Sequence, residues 1–278
     1  MAINIKIVGI GDGGARTITK MIQAGVGKDK FVDFIAIGND ENLLLTSSAR
    51  KNIFLNRDLT TIYKNVYDAL NGAQLIFIVA GLAGNAARSA VPIITSQAKN
   101  SGAMTVAFVC KPSVLENTLR KSNAEYTMKN LRGKVDTLFA VPAEKFFVFR
   151  INQPQVSLHE LFDVIDDIFC QAVKLLLDMN DLNLKFGNAK FSYGEATTAL
   201  EAIKLAAKFP TIEEDEFKSA QKIFVALASG NSLSQSSIES ANNFIKRQMP
   251  PESEFLSKAM TIPTLGDKIF ATIICTRK

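Results

Sequence analysis

The sequence predicts an α/β fold in which a parallel sheet wound with helices precedes a long central helix and a smaller C-terminal α/β domain. Three observations lead there. Short Val-, Ile- and Phe-rich runs alternate with helical patterns as far as about residue 150, as in a parallel sheet covered on both faces. Two of the runs open directly into glycine-rich turns and helices: IKIVGI, GDGGAR and TITKMI over Ile5–Ile22, then LIFIVAG and LAGNAARSA in a unit ending at Ala98. A long amphipathic stretch beginning near Ser157 then divides these units from a tail with its own strands and helices.

Taken in order, strands are expected at Ile5–Ile10, Phe31–Ile37, Leu75–Val79, Thr105–Cys110 and Thr137–Val141. Helical periodicity covers Thr17–Ala24, Leu59–Leu70, Arg88–Lys99 and Val114–Asn130 between them. The winding is Rossmann-like, and in such sheets ligands bind beyond the carboxyl ends of the strands, where both glycine-rich turns fall. Ser157 with Glu160 forms a capping box, and Leu158, Leu161, Ile165, Ile168, Phe169, Ala172, Leu175 and Leu176 continue one apolar face. A buried spine between two lobes is the expectation. After Asn180 come an irregular stretch, a helix from about Glu195 to Lys208, and the acidic segment Glu213–Glu216. A strand at Lys222–Ala228 and a helix at Ser237–Gln248 follow. The strands Phe255–Ile262 and Lys268–Thr276 come next, with a hairpin turn at Leu265–Gly266–Asp267. Domain boundaries are accordingly drawn at 1–156, 157–180 and 181–278.

Composition excludes several classes. The 278 residues are 47% hydrophobic and 21% charged, an ordinary globular balance with ample chain to bury a core. The 32 Lys+Arg against 27 Asp+Glu give only +5, scattered along the chain, so a nucleic-acid partner is not expected. Cys110, Cys170 and Cys275 are far apart and each lies in an apolar segment, which fits buried thiols in a reducing cytoplasm rather than disulfides or a metal site. No signal peptide is visible and no apolar run approaches the ~20 residues that span a bilayer. His159 is the one histidine, placed for surface or packing duty, and nothing reads as a triad, paired-carboxylate or zinc site.

Each glycine-rich unit has the form of an anion site, because unpaired amides and the helix dipole converge where a strand turns into a helix N-terminus. On these units, and on FIAIGND, GAMTVAFVCKP, VDTLFAVPAEK, LFDVIDDIFCQAV and LGDKIFATIICT, the chain resembles the bacterial tubulin homologue FtsZ. The resemblance is collinear from about Ile3 to Thr276 and implies the tubulin/FtsZ fold: a GTP-binding domain, a core helix and a C-terminal activation domain. It further implies subunits that stack head to tail, a loop of one completing the GTPase site of the next.

The resemblance also assigns site residues, several of them altered. The family's phosphate loop GGGTGTG aligns with Ala83–Ser89, which reads AGNAARS and keeps only Gly84; Asn85, Ala86 and Arg88 are its other expected contacts, with Gly81 just before it. Glycine serves there because backbone must approach phosphate closely, which a Cβ hinders. Arg88 either pairs with a phosphate, lies across the site and fills it, or is drift after nucleotide binding ceased to matter. In the first loop Gly9, Gly11, Gly13 and Gly14 match the family, while Asp12 and Ala15 replace glycine and Arg16 replaces asparagine. An aspartate beside a triphosphate is repulsive unless it pairs with Arg16 or a metal. Tight packing of helix on sheet accounts for these glycines as well as phosphate contact does.

Glu116 and Arg120 fall at ribose- and phosphate-contacting positions, on the helix after Lys111–Pro112. Phe162 falls where a ring stacks on guanine, and Asp166 where a side chain reads the guanine edge; ordinary packing with a solvated carboxylate is the other reading. Ala143 stands where a polar residue is usual. The catalytic NxDxxD pattern aligns with Asn183–Leu184–Lys185–Phe186–Gly187–Asn188, so Lys185 and Asn188 occupy both acid positions, and no acid lies between Asp181 and Glu195. Neither substitute can orient or deprotonate water at neutral pH.

The functional expectation is an FtsZ-like cytoskeletal or cell-division-related protein that associates with itself or with an FtsZ homologue. GTP hydrolysis is lost in this reading, and no cofactor is required, although GTP or GDP binding remains possible. The alternatives are an active GTP-hydrolysing division filament protein, and a metabolite-binding relic using the vacated pocket. Because the sequence stops at Lys278 after the last expected strand, the family's C-terminal adaptor-binding peptide is not expected, nor is direct membrane insertion.

Overall fold

The computed structural model describes residues 3–56, 58–145, 158–178, 185–208, 211–262 and 265–276. It divides into two compact units, Met1–Gly187 and Asn188–Lys278.

The first unit is a parallel sheet with the order β3-β2-β1-β4-β5-β6. Its strands are β1 (Ile5–Ile10), β2 (Val32–Gly38), β3 (Lys51–Phe54), β4 (Leu75–Gly81), β5 (Met104–Lys111) and β6 (Thr137–Pro142). Its helices are α1 (Gly11–Gln23), α2 (Glu41–Thr46), α3 (Leu59–Leu70), α4 (Asn85–Ser101), α5 (Thr118–Leu131) and α6 (Leu158–Asp178). Side chains alternate across the pleat. Val8, Ile10, Ile76, Ile78, Ala107 and Val109 join the core under α3, α4 and α5. Ile7, Phe77, Phe108 and Phe139 point the other way and are fully buried. Phe108 stacks on Phe139 with centroids 4.6 Å apart and meets Phe169 of α6 at 5.6 Å. Helix α6 is held beside α1 by Lys20, whose Nζ lies 2.6 Å from Asp167 Oδ1 and donates to the Asp163 carbonyl at 3.1 Å. The sequence order changes direction between β1 and β4, so this sheet has its switch point there.

Burial on both faces makes β1 a continuous apolar run except at Lys6, which is itself buried. Its ammonium reaches Asp33 Oδ2 at 2.5 Å, and Arg50 Nη1 donates to Asp33 Oδ1 at 3.0 Å. The Lys6 hydrogen bond, ahead of opposing burial, holds the Asp33 carboxyl below its ordinary 3.8. A lowered carboxyl stabilises the fold fully above the unfolded value of 3.8, and that contribution is lost as pH falls through the folded value. Asp33→Asn is therefore expected to cost about 1 kcal/mol at neutral pH. The gap between variant and wild type should close well below pH 3.8. Urea denaturation at the two pH values checks this, and a gap of equal size at both would sink it.

The second unit contains β7 (Gly187–Ala196, whose first residue closes the first unit), β8 (Lys222–Ser229), β9 (Glu254–Thr261) and β10 (Ile269–Thr276). The helices here are α7 (Ala199–Ala207), α8 (Glu214–Lys218) and α9 (Gln235–Lys246). The order is β7-β10-β8-β9, with β10 antiparallel to both neighbours and β9 parallel to β8. Ala202, Ile203, Ala206, Ala241 and Ile245 pack with Ile223, Val225, Leu227, Ala271 and Ile273 into one core.

Several sequence expectations are corrected. The stretch read as irregular before Glu195 is strand β7, and the helix begins at Ala199, where Thr198 caps it. Leu265–Gly266–Asp267 is not a hairpin between paired strands, because β8 lies between β9 and β10. The connection instead passes over Gly230 at the end of β8, where a Cβ would stand 2.0 Å from the Gly266 carbonyl oxygen. Only glycine admits that crossing. Helix α1 starts at Gly11 rather than Thr17, and strand β3 and helix α2 were not foreseen. The capping box at Ser157 and Glu160, the side chain of His159, and Asn183 and Leu184 lie outside the described residues.

Candidate functional site

The carboxyl ends of β1 and β4 bear the two glycine-rich turns, and a cavity of about 800 Å³ opens there. Its floor follows from local geometry. Gly9 and Gly14 bring α1 against the sheet so closely that an added Cβ would meet the Gly14 carbonyl oxygen at 2.4 Å or that of Val79 at 2.5 Å. Gly11 turns the chain with φ +69°, a region costly to residues bearing a Cβ. Gly13 is different: a Cβ on it would meet nothing within 4 Å. Gly9 and Gly14 thus serve packing, whereas Gly13 keeps a cavity wall bare.

Helices α2, α3, α5, α7 and α9 have side-chain N-caps from Asp40, Asp58, Asn117, Thr198 and Ser234. Helices α1 and α4 have none; Ile10 and Gly84 stand at their caps. Their first-turn amides, at Gly11–Gly13 and Asn85–Ala87, border the same cavity. The loop before α4 is held by buried Asn123, whose Nδ2 donates to Asn85 Oδ1 at 2.9 Å and to the Ala83 carbonyl at 3.4 Å. The methyls of Ala86 and Ala87, where the resemblance has threonine and glycine, sink into the core beneath the loop.

Most residues singled out in the sequence meet here. Gly11, Asp12, Gly13, Arg16, Gly81, Gly84, Asn85 and Ala86 line the cavity together with Glu116, Arg120, Phe162 and Asp166. Arg88 does not reach it. One turn into α4, its guanidinium lies 4.4 Å from the Tyr126 ring centroid and donates to Asn123 Oδ1 at 3.4 Å, so it neither meets nor fills the anion cradle. Glu116 lies in the loop before α5 rather than on a helix, because Asn117 takes the cap by accepting from the Arg120 amide at 3.0 Å. The Arg120 side chain returns to Glu116, Nε to Oε2 at 2.5 Å.

Arg16 and Asp12 also part company. Arg16 Nε donates to Asp166 Oδ2 at 2.5 Å while its guanidinium sits 5.2 Å from the Phe162 ring centroid. Thr17 Oγ1 donates to Asp166 Oδ1, also at 2.5 Å, so both oxygens of a carboxyl only 2% exposed are engaged. Burial pushes the Asp166 carboxyl above its ordinary range, against the pull of the Arg16 and Thr17 hydrogen bonds. Asp12 stays exposed in the first turn of α1, where the helix dipole suits a carboxylate.

Sequence reasoning missed Asn39, Thr17, Lys111 and Cys110 as lining residues. The rule that ligands gather at strand carboxyl ends points to Asn39, the residue after β2, and Lys111, the last of β5. Burial, assisted by Glu144, Asp166 and Glu116, pushes the Cys110 thiol up to about 12, so it stays protonated and non-nucleophilic. The lining holds three cations, Arg16, Lys111 and Arg120, against the carboxylates Asp12, Glu116 and Asp166. The open glycines and first-turn amides of α1 and α4 suit an anion, and Arg16 reaches Phe162 and Asp166 within the same lining. Lys185 and Asn188 lie at the entry to β7, Asn188 as its second residue, and both are exposed.

Residues 60–149 match the Tubulin/FtsZ family, GTPase domain. The chain is 29% identical over 306 residues to Cell division protein FtsZ 1 of Thermococcus kodakarensis, covering 98% of this chain and 80% of that protein. An empty FtsZ dimer from M. jannaschii aligns with a TM-score of 0.83 at 24% identity, over 99% of this chain and 88% of the other. CetZ2 from Haloferax volcanii, in a GTPγS-bound protofilament, gives 0.77 at 15% identity over 99% and 93%. With the fold shared and the sequence match running nearly end to end, this chain is FtsZ-like in sequence and has the tubulin/FtsZ fold.

Proposed function

We propose that this protein is a cytoplasmic, cell-division-related cytoskeletal element that assembles with itself or with an FtsZ homologue without hydrolysing GTP. In this reading residues 1–156 form a GTPase-like domain, 157–180 its core helix and 181–278 an activation-type domain. The observation that carries it is a retained scaffold with altered chemistry. Both uncapped helix N-termini still face the cavity, whereas Lys185 and Asn188 stand where the resemblance puts water-activating acids. An ammonium or amide there supplies no base for water, and no acid from 182 to 194 can substitute. GTP or GDP binding is weak or absent because Arg16 engages the groups assigned to the base. Without turnover, nucleotide state cannot switch the assembly interface, and assemblies persist.

Sedimentation and phosphate release, measured for the protein alone and mixed with an active FtsZ, test this. Pelleting in at least one setting with no phosphate release from the protein alone is expected. The second reading, an active GTPase of a dynamic division filament, is favoured by Glu116, Arg120, Phe162 and Asp166 sharing one cavity. GTP turnover by the pure protein that vanishes in Glu116→Ala and Arg120→Ala would establish that reading in place of the first.

A further inference from the structure

We propose that Arg16 is a built-in occupant of the base slot, so that whatever weak nucleotide binding the cavity retains runs through the phosphates and does not distinguish guanine from adenine. The inference rests on the reading of this cavity as a nucleotide site. The slot is defined by two residues one helical turn apart on α6. Phe162 offers an aromatic face that is 41% exposed, and Asp166 offers a buried carboxyl at its edge. A ring face beside an acceptor selects a flat group that carries N–H donors in its plane. A guanidinium is such a group, and Arg16 takes both contacts, its Cζ 5.2 Å from the Phe162 ring centroid and its Nε bonded to Asp166 at 2.5 Å.

The chemistry of the rival explains the consequence. The N1–C2–N2 edge of guanine is itself a substituted guanidine, planar and with adjacent N–H donors, so base and side chain compete for one carboxyl. Adenine presents an unprotonated ring nitrogen on the same edge and cannot replace a donor facing Asp166. Arg16 holds its place by charge as well as geometry, because a cation suits a buried carboxylate better than a neutral base does. Its side chain is nevertheless 38% exposed, so a shorter residue at 16 opens the slot without excavating the core. Thr17 continues to bond Oδ1 and keeps the carboxyl aimed.

Titration calorimetry with GDP and with ADP on the full chain tests the assignment. Wild type is expected to bind the two within about threefold of each other, since neither base reaches Asp166. Arg16→Asn is expected to gain about tenfold or more for GDP and nothing for ADP, and Arg16→Ala the same where it folds. Asp166→Asn should leave the wild-type ratio alone and abolish the gain in the Arg16→Asn background. A wild-type preference for GDP above about tenfold that Asp166→Asn removes would overturn the proposal. So would folded Arg16 variants that gain nothing for GDP. Either failure leaves the non-hydrolysing assembly intact, whereas GTP turnover by wild type removes that reading and leaves the selectivity pattern to stand or fall by these ratios.

Discussion

Gly14→Ala is expected to lose about 3 kcal/mol of stability, while Gly13→Ala, one residue earlier in the same helix, gains up to about 1 kcal/mol. At Gly14 a methyl would sit 2.5 Å from the Val79 carbonyl oxygen and 2.9 Å from the Gly9 carbonyl carbon. Both are backbone atoms of paired strands, so relief means pulling α1 off the sheet. At Gly13 a methyl meets nothing within 4 Å, and the residue sits in the first turn of a helix where alanine restricts the unfolded chain more than glycine does. Thermal denaturation of the two variants reads the contrast directly. Losses of equal size would mean that both glycines serve the same purpose, and the division between packing and open wall would be wrong.

Arg16→Ala is expected to cost about 2 kcal/mol, below the 3–5 kcal/mol typical of breaking a fully buried pair because Arg16 is partly solvated. The cost should depend on pH in a definite sense. The folded Asp166 carboxyl lies above its unfolded value, so its burial penalty applies above the folded value and is relieved as pH falls through it towards 3.8. Removing Arg16 takes away the leading stabiliser of the charged form and raises the folded value further. The stability gap to wild type should therefore narrow from pH 7 towards pH 4. In the Arg16→Ala, Asp166→Asn double variant, where no buried charge remains, the loss should fall short of the two single losses added together, by about 1–2 kcal/mol. Urea denaturation across that range and around the cycle checks both claims. Strict additivity with a pH-independent gap would show the pair to be energetically idle.

The parallel sheet was legible because burial on both faces writes β1, β4 and β5 as largely apolar runs, with Lys6 the one charge inside β1, and with turn residues at their ends. Strand β7 was not, because KFGNAKFSYGEA spreads two glycines and several polar residues across a half-buried element. Gly194 is there because α7 backbone atoms pass within 2.4 Å of where its Cβ would be, a long-range fact that no local pattern contains. The placement of the last strand was misread for a related reason. A turn sequence tells where a chain bends but not which strand it returns to. At the cavity, backbone features were readable, since glycine and strand–helix junctions are local. The destinations of Arg16 and Arg88 were not: both are long side chains whose partners, Asp166 and Tyr126, lie 150 and 38 positions away. The resemblance put both arginines in loops expected to meet phosphate, yet one turns to Phe162 and Asp166 and the other out to α5.

The position of β10 has an implication for how the second unit comes into being. It sits between β7 and β8 yet is synthesised after both, and after β9 as well. As the chain leaves the ribosome, β7 and β8 can find no direct pairing with each other in their final places, and an edge of β8 waits unfilled behind its β9 partner. The sheet of this unit therefore cannot be completed until Ile269–Thr276 emerges to join β7 and β8. A chain interrupted shortly before that point would offer two open strand edges to any neighbour able to donate a strand.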